Sequence, residues 1–138
     1  MNIEIINKEN SENFQTLVDG VRQFNYESAG KESSLPLSVI ARCKDGNIIG
    51  GVSGRTIYKH FLIEVAWVDM STRGTGLGKR LMFIAEEEAR NRGCIAAQVD
   101  TLSFQAPGFY QKCGFDVVGE VPEIKGTPGR FFLLKQYE

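Results

Sequence analysis

The chain has 138 residues, the size of one ordinary domain, and at that length about two-thirds of the unfolded surface can be buried without a disulfide or metal staple. Its composition is 42% hydrophobic and 24% charged, as in globular proteins. With 16 Lys plus Arg against 17 Asp plus Glu the formal net charge is -1, which lacks the basic excess of a nucleic-acid-binding protein.

In chain order, Ile3, Ile5 and Ile6 suggest a short first strand. Asn10 or Ser11 can cap a helix in which Phe14, Leu17, Val18, Val21 and Phe24 recur at helical spacing, ending near Gly30. Leu37–Cys43 and Ile48–Val52 flank Asp45-Gly46-Asn47, a hairpin signal, and Thr56–Tyr58 suggests a further strand. Phe61–Asp69 is apolar on both faces, with Leu62, Glu64, Ala66 and Val68 expected on one and Ile63, Val65 and Trp67 on the other. A turn rich in glycine follows, then a helix in which Leu77, Leu81, Ile84, Ala85 and Ala89 form the apolar face before Gly93. Ile95–Thr101 reads as a strand and Phe104–Cys113 as a short helix. Phe115–Val121 and Arg130–Tyr137 read as two closing strands. The order implies one α/β domain over residues 1–138, a mixed and mostly antiparallel sheet flanked by helices.

Cys43, Cys94 and Cys113 are scattered and His60 is the single histidine, so no metal site is expected and the thiols fit a reducing compartment. No apolar run has signal-peptide length or approaches the ~18 residues of a membrane helix. A cytoplasmic protein without nucleic-acid or membrane partners is the expectation.

The turn Arg73-Gly74-Thr75-Gly76-Leu77-Gly78 lies between an apolar strand and a helix. Glycines let a ligand approach the backbone, and the first N–H groups of a helix lack intrahelical partners and carry the positive end of its dipole. Arg73, Lys79 and Arg80 crowd this end, where cations are unfavourable unless an anion compensates; Glu86, Glu87 and Glu88 sit further along. The pattern suggests a phosphate cradle. A purely geometric turn is the alternative. A Walker loop would need Ser or Thr after Lys79, and a dinucleotide fingerprint would place its third glycine one residue later.

Arg73, Gly76 and Gly78 match the Arg/Gln-x-x-Gly-x-Gly/Ala motif of the GNAT superfamily of N-acetyltransferases, which this segment resembles. Ala106-Pro107-Gly108-Phe109-Tyr110-Gln111-Lys112-Cys113-Gly114-Phe115 is similar to the family's second segment, Ala-x-x-x-Tyr-x-x-x-Gly-Phe. The resemblance covers nearly the whole chain. It implies a splayed pair of strands, Phe61–Asp69 and Ile95–Thr101, with the pantetheine of acetyl-CoA between them. The backbone of Arg73, Gly74, Thr75, Gly76, Leu77, Gly78 and Lys79 would hold the pyrophosphate. Backbone groups near Trp67 and Val68 would hold pantetheine, one N–H polarising the thioester carbonyl. Ser103 stands where many members have Asn, so its contact with CoA is a weaker implication.

The same resemblance makes Tyr110 the acid that protonates the leaving thiolate, against packing as an ordinary aromatic. Glu64, a carboxylate in an apolar strand, is a candidate base, against simple solvation at an open cleft. Asp100 is a weaker alternative base, read rather as ending its strand and capping or pairing locally; His60 is read as a surface residue in a turn, and Phe61 and Trp67 as core. The acceptor would lie among residues 25–35 and 120–130, whose glutamates suit a cationic amine. The implied reaction is acetyl transfer to a primary amine of a small molecule or peptide by direct attack. A non-catalytic acyl-CoA-binding module of the same shape is the competing reading. A homodimer involving the run Phe131-Phe132-Leu133-Leu134 is a further implication.

Overall fold

The computed structural model of the protein describes residues 1–105 and 107–138; Ala106 of the second motif lies outside the described residues. Two compact units are present, Met1–Glu32 and Ser33–Glu138. In the first, helix α1 (Ser11–Ala29) begins where Asn10 Oδ1 accepts from the N–H of Asn13 at 2.9 Å and ends at Gly30, as the capping signals require. The strand expected at Ile3–Ile6 is absent: residues 1–10 contain no strand. Three apolar residues are too few to specify a strand without a neighbour to pair with.

The second unit is a six-stranded sheet with strands β1 (Leu35–Arg42), β2 (Ile48–Ile57), β3 (His60–Val68), β4 (Ala96–Leu102), β5 (Asp116–Val121) and β6 (Arg130–Gln136). Their spatial order is β1-β2-β3-β4-β6-β5, antiparallel throughout except between β3 and β4. Gly46, at φ +85°, turns the β1–β2 hairpin. Thr56 and Ile57 belong to β2 rather than to a strand of their own, because the β2–β3 ladder resumes after one register shift and continues to the pair Ile57–His60. His60 accordingly begins β3 and bonds Gln98 of β4 at 2.9 Å instead of sitting in a turn.

Helix α2 (Leu77–Asn91) crosses β1, β2 and β3. Its buried residues are Leu81, Met82, Ala85, Glu86 and Ala89; Ile84 is exposed, one step off the expected face. These meet Val52, Phe61, Ile63, Ala97, Val99, Phe115 and Leu133, the core of the unit. The short helix α3 (Pro107–Lys112) connects β4 to β5. No helix among the described residues is long and apolar enough to cross a membrane.

A bulge positions the site. Gly54 pairs with Ile63 and Ser53 with Val65, so Glu64 is an extra residue in β3. Alternation therefore breaks there. Phe61 and Ile63 are buried beneath α2, and Ala66 and Val68 continue that face, whereas Val65 and Trp67 are exposed. The expected grouping of Glu64 with Ala66 and Val68, and of Trp67 with the core, fails because one inserted residue inverts the faces beyond it. Gly54 makes the close approach possible: a Cβ there would lie 2.1 Å from the Leu62 carbonyl oxygen and 3.0 Å from Ile63 Cα. Both neighbours are backbone and cannot swing away. Gly54→Ala should destabilise the fold by about 1–3 kcal/mol, read as a lower urea midpoint; an unchanged midpoint would show that the bulge relaxes freely.

Candidate active site

The parallel pairing of β3 with β4 covers only His60–Leu62 against Ala96–Gln98. Beyond Leu62 the β4-facing edge of β3 has no strand partner, and a cleft of about 880 Å³ opens between the strand ends. One wall is the end of β3, with Glu64, Trp67 and Val68; the floor carries Arg73, Gly74, Gly76, Leu77, Gly78 and Lys79; the far wall carries Asp100, Phe109 and Tyr110. These sequence-predicted residues are brought together. Thr75 and Ser103 do not line the cleft. Thr75 Oγ1 donates to the Thr72 carbonyl, and Ser103 Oγ accepts from the Gly129 N–H at 3.1 Å, joining two loops.

The strand-to-helix connection is built to leave amides open. Asp69 caps a 3-10 turn, Met70–Thr72, and its carboxyl is held below its ordinary range chiefly by the Ser71 hydroxyl and Ser71 N–H. The N–H of Arg73 donates to the Met70 carbonyl at 3.2 Å and that of Thr75 to the Thr72 carbonyl at 3.4 Å. Gly74 and Gly76 take φ +80° and +84°, and α2 starts with no side-chain cap. Among the described residues, no backbone acceptor receives the N–H groups of Gly74, Gly76, Leu77, Gly78 or Lys79. None of Arg73, Lys79 and Arg80 forms an ion pair within 4 Å there. Gly78 has a second task that the sequence did not reveal. A Cβ on it would lie 3.1 Å from Phe109 Cε1, so its bareness lets α3 pack on the start of α2.

Tyr110 is buried, its ring edge-to-face with Phe109 and Phe115 at 5.3 and 5.9 Å. Burial raises its phenol above the ordinary 10.0, with smaller contributions from Cys113 and Asp100, so the hydroxyl stays protonated. The thiol of Cys113, also on the cleft, is pushed up from 9.0 by burial and then by Glu86, against the lowering effect of Lys135 and Lys79. It rests as a thiol rather than a nucleophilic thiolate. Glu64 Oε1 accepts from Arg55 Nε at 3.0 Å, both side chains well exposed, and Asp100 pairs not locally but across the sheet with Arg130 on β6. Gly51, Thr72, Thr101, Phe104 and Gln105 also line the cleft. None carries a distinctive sequence signal.

Residues 2–115 match the model of the acetyltransferase (GNAT) family. The chain belongs to that family. It is 42% identical over 105 residues to blasticidin-S acetyltransferase of Streptomyces morookaense, covering 73% of this chain and 77% of that protein. The crystal structure of an acetyltransferase from Agrobacterium tumefaciens superposes with a TM-score of 0.90 at 27% identity, covering 99% of this chain and all of that one. A Bacillus anthracis protein described as a streptothricin acetyltransferase, solved with acetyl coenzyme A, shares the fold. Its TM-score is 0.66 at 23% identity, over 75% of this chain and 64% of that one. With these relatives, this GNAT family member is an N-acetyltransferase.

Two tyrosines of the enzyme, buried Tyr110 and partly buried Tyr137, are shifted in the same direction. Tyr137 is raised by burial and by the charge and hydrogen bond of Glu86. A folded-state pKa above the unfolded value means that stability is level below about pH 10 and falls as pH rises beyond it. Thermal unfolding midpoints should drop above about pH 10, and more shallowly in Tyr137→Phe. A parallel fall in that variant would remove Tyr137 as a contributor.

Proposed function

We propose that this N-acetyltransferase moves the acetyl group of acetyl-CoA to a primary amine of a small molecule or peptide, by direct attack within a ternary complex. The observation that carries the reading is the parting of β3 from β4 after three paired residues, with open amides on one side of the cleft and a protonated phenol on the other. Among the described residues, five unbonded N–H groups at and just before a helix start, with three cations outside any ion pair nearby, suit a diphosphate. The unpartnered edge of β3 at Trp67 and Val68 offers backbone donors and acceptors to the amides of pantetheine, and one N–H there to the thioester oxygen. The amine nitrogen bonds the acetyl carbon as the C–S bond breaks. Tyr110 gives its proton to sulfur, and Glu64, through water, takes a proton from nitrogen. The phenol recovers its proton from solvent. Because Cys113 rests as a thiol, direct attack is favoured over a route through an acetylated cysteine.

The 42% identity to blasticidin-S acetyltransferase makes an amine on an antibiotic of that kind the first acceptor to assay. The domain is taken as the whole of residues 1–138, supported by the family match over 2–115 and by the Agrobacterium structure's 99% coverage. The homodimer of the final strands belongs to this proposal too, but β6 lies inside the sheet, whose edges are β1 and β5. The surface in question is therefore β5, not the run 131–134.

Tyr110→Phe keeps the ring and should lower the rate of acetyl transfer by roughly 10²- to 10⁴-fold, with little change in acetyl-CoA affinity. The measurement is thiol release with an amine panel that includes blasticidin S; a wild-type rate with chemistry limiting would assign the acid to water. Gly76→Val forces a β-branched residue to φ +84° and should abolish acetyl-CoA binding by calorimetry while circular dichroism stays native. Unchanged affinity in the folded variant would remove the pyrophosphate assignment.

A further inference from the structure

Glu86 lies on the core face of α2 with 6% of its surface exposed, among Met82, Ala85 and Ala89. A buried carboxylate requires partners, and both of its oxygens have them. Lys135 Nζ donates to Oε2 at 3.0 Å and the Tyr137 hydroxyl donates to Oε1 at 3.1 Å. Lys135 also donates to the backbone carbonyl of Cys113 at 2.7 Å. That carbonyl directly follows α3, where the last carbonyls of a helix lack intrahelical donors and attract a cation. Gly114, at φ +96°, leaves room for the lysine stem, since a Cβ there would lie 3.3 Å from Lys135 Cε.

Helix α3 has six residues, too few to hold its own conformation, so its contacts set its place. Phe109 seats it on Gly78, and the Phe109 and Phe115 rings flank Tyr110. At its trailing end the N–H groups of Cys113 and Phe115 donate to the Tyr110 carbonyl, each at 3.0 Å, so the Tyr110 backbone is coupled to the segment that carries the Cys113 carbonyl. Lys135 adds the side-chain tie from that segment to α2, and Glu86 holds Lys135. Neither residue lines the cleft.

We propose that the buried Glu86–Lys135 pair is a positioning device for Tyr110, clamping the C-terminal end of α3 so that the phenol keeps its place in the cleft. The proposal rests on the acid role of Tyr110 given above. A displacement of about 1 Å at a reacting group can cost on the order of 10²-fold in rate, which a loosened α3 would produce without touching the substrate.

The test uses the full chain with Lys135→Met, with Lys135→Met/Glu86→Leu, and with each change repeated in Tyr110→Phe. The double change removes the lone buried charge that could unfold the single variant, yet leaves α3 unclamped. With the panel amine turned over fastest, kcat should fall roughly 10- to 100-fold while KM for acetyl-CoA shifts less than about threefold. In the Tyr110→Phe background the same changes should cost less than about twofold, since nothing remains to position. The Tyr110 ring signal of ¹³C-tyrosine-labelled protein, assigned by its loss in Tyr110→Phe, should shift or broaden in both unclamped variants. Wild-type kcat in the folded double variant, an equal loss in both backgrounds, or an unmoved ring signal would overturn the proposal. Full activity in Tyr110→Phe itself would instead remove the acid role, and the ring signal alone would then decide whether the clamp positions Tyr110.

Discussion

Strands β3 and β4 share a ladder over three residues and then separate, although β3 continues to Val68 and β4 to Leu102. A bulge bends its strand and increases its twist, and the extra residue Glu64 lies two positions beyond the last paired residue, Leu62. Gly54 permits the bend, because its missing Cβ is what lets the Leu62 carbonyl come so close. The bent strand leaves the sheet with an interior edge whose polar backbone groups need a partner from outside the fold. It also points Glu64 and Trp67 into the opening while Phe61 and Ile63 stay in the core.

What surrounds that opening is electrostatically one-sided. The connection from β3 to α2 uses two left-handed glycines and no side-chain cap, so that five of its amides have no acceptor among the described residues. A stability-driven sequence would put an acidic residue in the first turn; α2 has none there and has Lys79 and Arg80 instead. On the opposite wall the carboxylate of Asp100 is paired with Arg130, and burial raises both Tyr110 and Cys113, which stay protonated. On the proposed reading the polar end receives phosphate and the neutral end receives the thioester, with the length of pantetheine between them.

Periodicity and turn chemistry made most of the elements legible. Asn10 and Gly30 bounded α1, Gly46 turned the first hairpin, and the order from β1 to β6 was readable from alternating apolar runs. The glycine turn stood out because its residues are contiguous, whereas Tyr110 was singled out only through the resemblance of residues 106–115 to the family's second segment. Features that depend on three-dimensional pairing were not. The bulge exists only in the register between β2 and β3, so Trp67 read as core. The contact of Gly78 with Phe109 joins residues on different helices. Nothing in the sequence set Glu86 apart from Glu87 and Glu88, because Lys135 and Tyr137 reach it from the far end of the chain. Ile3–Ile6 shows the converse, an apolar run that forms no strand among the described residues.

The central claim is that the open amides of the β3–α2 connection receive the pyrophosphate of acetyl-CoA. Residue-resolved amide hydrogen exchange, with and without saturating acetyl-CoA, tests it most directly. Exchange at Gly74, Gly76, Leu77, Gly78 and Lys79 should be fast in the free protein and strongly slowed in the complex, because each gains an acceptor. It should be slowed far less by S-acetylpantetheine, which has no diphosphate. Saturation with acetyl-CoA that leaves these five amides exchanging at their free rates would contradict the account.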